Sequence, residues 1–64
     1  LANAAAQRFR ETAELPETLT DLRVCLVFEQ RRAHHAGRLD ELGEAFVRAL
    51  VRAIREKVAR GVTD

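Results

Sequence analysis

Tryptophan, tyrosine and methionine are missing from this 64-residue chain, and cysteine and proline occur once each. Each scarcity removes a class of explanation. The lone Cys25 excludes an internal disulfide and any four-cysteine or two-cysteine, two-histidine zinc site within one chain. It also fits a reducing, cytoplasmic setting. No apolar run approaches the roughly 18 residues that suggest a membrane span. Leu1 to Ala13 has neither a basic start nor an unbroken apolar core, so no secretory-signal pattern is expected there. Eleven basic residues against ten acidic ones give a net charge of +1, which is not the global signature of a nucleic-acid or polybasic membrane protein. There is no glycine-rich phosphate loop and no Ser/His/Asp set. A chain this short offers little concave volume for a substrate. A non-enzymatic role without a cofactor is the expectation.

What remains is helical pattern. Leu1 to Glu14 is Ala-rich and free of glycine and proline, with Phe9 as its one large apolar side chain on the inner face. An isolated helix of this length is marginal, so it either docks through Phe9 or frays. Pro16 ends it and suits the first turn of a second helix over 16–36, with Thr18 and Asp21 as an alternative cap. That helix carries a main stripe of Leu19, Leu22, Leu26 and Ala33, flanked by Cys25, and a shorter strip of Val24 and Phe28. Gly37 is a natural left-handed stop, and Asp40 can cap a third helix over 39–60. Gly61 ends the third helix and leaves 61–64 as a frayed tail.

The third helix has two apolar seams. Leu39, Leu42, Phe46, Ala49 and Ala53 form one; Val47, Val51, Ile54 and Val58 form the other. With Leu50 between them they cover an arc of about 200°, roughly twice what an ordinary surface helix needs. Such a helix needs cover from two sides. A chain of this size is marginal alone, and with disulfides and zinc ruled out, association is the remaining route to stability.

The polar residues support less. Glu29 projects into the second helix's stripe, where a carboxylate is costly unless paired. It reads first as the partner of Arg32 or of an arginine on the third helix, and second as a metal ligand. The Glu-x-x-His element of di-iron bundles is absent, since Arg32 stands where the histidine belongs. His34 and His35 are adjacent and point about 100° apart, so they cannot hold one ion from one face. Arg31, Arg32, His34, His35 and Arg38 form the one basic cluster, near the turn between the long helices.

These readings converge on an all-α fold in a single domain over 1–64. It is an antiparallel helical hairpin with a short N-terminal helix, dimerising into a four-helix bundle. The first seam packs within the hairpin, and Val24, Phe28, Val47, Val51, Ile54 and Val58 form the interface between copies; the alternative is that the two seams of the third helix exchange these roles. The expected role is a helical interaction or oligomerisation module, acting as a homodimer or docking to another helical protein. One alternative is a nucleic-acid-binding dimer that uses Arg31, Arg32, His34, His35 and Arg38. Another is a metal-binding bundle built on Glu29, His34 and His35.

Overall fold

Local capping chemistry sets where each helix begins. The computed structural model describes residues 3–38 and 40–64, and among them are three α-helices and no strand: α1 (Ala4–Thr12), α2 (Leu19–Ala36) and α3 (Glu41–Ala59). Leu39, assigned to the first seam, lies outside the described residues, as do Leu1 and Ala2. Asn3 starts α1 by accepting the Ala5 and Ala6 N–H groups at 3.0 and 3.2 Å. Thr18 Oγ1 accepts from Asp21 N at 3.1 Å, and Asp40 Oδ1 from Gly43 N at 2.7 Å. The second helix therefore starts at Leu19, three residues later than the proline suggested. The threonine cap prevails, and Pro16 sits in the connection before it.

Helix ends are set by left-handed residues. Gly37 ends α2 at φ 75°. After α3, Gly61 at φ 79° lets its own N–H reach Val58 O and the Val62 N–H reach Lys57 O, both at 3.0 Å. That paired pattern satisfies carbonyls the helix leaves open. Beyond it the last residues are tied rather than frayed. The backbone oxygen of Asp64 accepts from Thr20 N at 2.8 Å, an N–H in the first turn of α2 that has no partner within its own helix. The start of α2 thus lies beside the end of the chain.

Packing brings α3 against one side of α2 and α1 against another. The core cluster is Ala6 and Phe9 from α1, Leu22 and Cys25 from α2, and Phe46 and Leu50 from α3. Along α3 the buried line is Gly43, Phe46 and Leu50. It takes Phe46 from the first seam and passes through Gly43 and Leu50 in the middle of the apolar arc. Leu50, assigned to neither seam, has no exposed surface, whereas Leu42 of the first seam is 53% exposed. α2 therefore sits over the centre of the arc and leaves part of each seam at an edge.

α1 is docked, not frayed. The Phe9 ring meets the Phe46 ring at 4.6 Å between centroids, tilted by 56°. Burying that one phenylalanine stabilises the arrangement by about 2–3 kcal/mol. The next residue, Arg10, places its guanidinium 5.2 Å from the centre of the Phe46 ring and 3.4 Å from Glu29 Oε1. The partner of Glu29 is thus Arg10 on α1, not Arg32 or an arginine of α3. Local spacing along α2 cannot reveal a partner that only tertiary packing delivers.

Candidate interaction surface

α3 presents two different edges. Around its axis, Leu42 and Ala49 lie to one side of the buried Phe46–Leu50 line. Val47, Val51 and Val58 lie to the other, about 100–140° round from Phe46. Val47 and Val51 are half-buried and line a shallow open groove of about 470 Å³ together with Arg48, Arg52, Arg55 and Glu56. Val58 is 53% exposed. The fourth member of this seam, Ile54, packs partly against the core and so joins the groove to the interior.

Val24 and Phe28 are the α2 residues expected to complete that interface. Both pack partly on the core cluster. Phe28 lines a groove of about 320 Å³ between α1 and α2, with Asn3, Ala6, Gln7 and Arg10. Arg31 lies over its ring at 5.8 Å. Val27 of α2 is 44% exposed and lies about 140° round α2 from the buried Leu22. Its position in the run Val24–Phe28 masked that signal, because a run of apolar residues hides which one points outward.

The rim of the α3 groove is balanced in charge. Arg48 pairs with Glu44, and Arg52 pairs with Glu56 at 3.3 Å, each four residues apart and exposed. Such pairs contribute a few tenths of a kcal/mol each. Their larger effect is to neutralise two of the three arginines beside the valines.

Arg31, Arg32, His34, His35 and Arg38 are all exposed, and none takes part in an ion pair among the described residues. Two nearby acids are engaged elsewhere: Glu29 is turned inward to Arg10, and Asp40 caps α3. The rings of His34 and His35 stand 6.4 Å apart. Among the described residues no three His, Cys, Asp or Glu side chains gather in a cluster able to hold a metal ion. Glu29 faces a guanidinium, so its carboxylate is not grouped with the histidines.

Cys25 is buried, and its thiol points at the carbonyl oxygen of Ala5, 3.6 Å away. Burial pushes its pKa up, and the negative charges of Asp21 and Glu29 push it further. The thiol is therefore protonated at neutral pH and a poor nucleophile. Among the described residues, no helix is long and apolar enough to cross a membrane. Comparison with known protein families, characterised proteins and solved structures found no match to this chain.

Proposed function

We propose that this protein is a non-enzymatic helical interaction module that associates with a second copy of itself. In this reading α2 and α3 form an antiparallel hairpin braced on one side by α1. The short turn at Gly37 and the contact of Asp64 with the start of α2 support that arrangement. The opposite side, with Val27, Val47, Val51 and Val58, is the face that pairs. Two hairpins meeting there by two-fold symmetry make a four-helix arrangement.

The observation that carries the reading is the valine edge of α3, left uncovered by the chain's own elements. The charge balance favours a second copy as the occupant. A net charge of +1 and a rim of internally paired arginines set up little repulsion between identical faces. A stable interface needs about 800 Å² per partner, a modest share of an accessible surface of 4831 Å². Replacing Val51 and Val58 together by glutamate tests it. Both lie outside the core, so the helices should remain while the mass by sedimentation falls to that of a monomer. A mass that stays unchanged between the two proteins sinks the reading.

A second reading has its own observation. Of the three acids beside the basic cluster, Glu29 is turned inward to Arg10, while Asp40 caps α3 and Glu41 is exposed. That leaves Arg31, Arg32 and Arg38 facing solvent for phosphate contacts on nucleic acid. This role predicts RNA or DNA binding that weakens with salt and with loss of those arginines. The absence of any binding at about 50 mM salt removes it.

A further inference from the structure

We infer that α1 is an exchangeable element: the groove that receives it also accepts α1 of a second copy, so two chains can trade their first helices. The proposal concerns the side of the molecule opposite the valine edge and does not depend on that edge.

Every group that α1 docks against belongs to α2 or α3. Phe9 meets Phe46, Arg10 meets Glu29 and Phe46, and the Ala5 carbonyl meets the Cys25 thiol. The fit is complete without the connection that follows, so it can be made by another chain's α1 equally well. That connection, Ala13 to Thr18, is lightly held. Glu14 N donates to the Thr12 hydroxyl at 3.1 Å, and Arg8 pairs with Glu14 at 3.4 Å on the exposed surface. An open groove of about 600 Å³ separates α1 from the connection, bordered by Arg8, Phe9, Leu15, Pro16 and Thr18.

Ala13 supplies the bias. At φ 59° it is the one non-glycine residue with positive φ among the described residues. An L-side chain is strained there, and Ala13 takes this conformation as the cap that closes α1, its N–H donating to Phe9 O. Opening the connection relieves that strain. Fully extended, six residues reach about 20 Å, which matches the shorter dimensions of the molecule, 20 and 18 Å. Exchange keeps the contacts α1 makes with α2 and α3, removes strain at two hinges, and costs association and the exposed Arg8–Glu14 pair.

The test uses the full chain carrying Val51→Glu and Val58→Glu, so that association through the valine edge is disabled. In that background Ala13→Gly removes the strain of the closed form, and Ala13→Val increases it. With a preference of roughly tenfold at each hinge and two hinges per dimer, the dimer constants of the two variants should differ by about a hundredfold. Ala13→Val should give the tighter dimer, and adding Phe9→Ala should abolish it. Circular dichroism confirms folding, and Ala13→Thr serves if the valine variant does not fold. Alkylation of Cys25 separates exchange from simple release of α1. In an exchanged dimer the thiol stays covered and slow to react. Equal masses for the glycine and valine variants overturn the proposal. So does a monomeric valine variant with a fast-reacting Cys25, or a dimer that survives Phe9→Ala. If the unaltered chain proves monomeric while the Ala13→Val dimer forms, exchange stands and the valine-edge reading fails.

Discussion

α1 and α3 both pack on α2, but different physics holds each of them. The α2–α3 contact is apolar, with Leu22 and Leu50 enclosed and no ion pair across it among the described residues. The α1 contact is mixed: one phenylalanine, two alanines and a buried ion pair. Apolar burial tolerates many geometries of similar energy, whereas a carboxylate at 4% exposure needs a charge partner close by, here a guanidinium 3.4 Å away with no hydrogen bond between the two nearest atoms. The long helices thus supply most of the stability. The Arg10–Glu29 pair sets how α1 sits on them.

The sharpest way to break this comparison is to remove one large side chain from each contact. Leu50→Ala empties a fully enclosed site and should cost about 2–5 kcal/mol. Domains of this size have only about 3–10 kcal/mol in total, so much of the population should lose all helical signal. Phe9→Ala should cost about 3 kcal/mol, but mainly through the nine residues of α1. Its circular dichroism should show a partial loss, followed by a separate transition of α2 and α3. A single shared transition in both variants would mean that α1 is not a distinct layer.

The ion pair gives the next effect. Its two members are unequally buried: Glu29 is 4% exposed and Arg10 is 21% exposed. Arg10→Ala strands a carboxylate away from water and should cost about 3 kcal/mol. Glu29→Gln leaves a guanidinium that can still reach solvent, and should cost about 1 kcal/mol. Replacing both by apolar residues, Arg10→Met with Glu29→Leu, should bring stability back to within about 1 kcal/mol of the starting protein. Urea unfolding of the four proteins measures all three differences. A double variant no better than Arg10→Ala would show that the pair stabilises α1 in its own right rather than merely tolerating burial.

The same division explains what could be read from the sequence. Helix identity was legible because it rests on local signals: Thr18 and Asp40 as caps, Gly37 and Gly61 as stops, and the wide apolar arc of α3. The width of the apolar arc of α3 was legible too, since it follows from periodicity alone. The direction of each neighbour was not. Periodicity does not reveal that α2 centres on Leu50, so Leu42 was assigned to the core although it lies in the first turn of α3, just past the end of α2 at Gly37. Nor does it pair Glu29 with Arg10, nineteen positions away and on another helix. The valine edge was visible as a seam, while Val27 was hidden inside an apolar run, and the place of Phe28 in a groove between α1 and α2 depends on tertiary packing.

Cys25 offers the smallest effect, and it reports on the α1 contact directly because its thiol lies beneath the Ala5 carbonyl. Burial raises the folded-state pKa of this thiol, with Asp21 and Glu29 adding to the shift. In the unfolded chain the thiol ionises near its ordinary value, so above that pH the unfolded state binds fewer protons than the folded one. Stability from this group is fully present below the ordinary thiol pKa and is lost as pH rises through the higher folded value. The slope cannot exceed about 1.4 kcal/mol per pH unit for one proton. With no tyrosine and one lysine in the chain, few other side chains titrate in that window. Urea midpoints should therefore fall between about pH 8 and pH 10, and Cys25→Ala should flatten the decline while lowering stability at neutral pH by about 1 kcal/mol. A decline of equal steepness in both proteins would assign it to other groups and would mean that α1 does not keep the thiol from water.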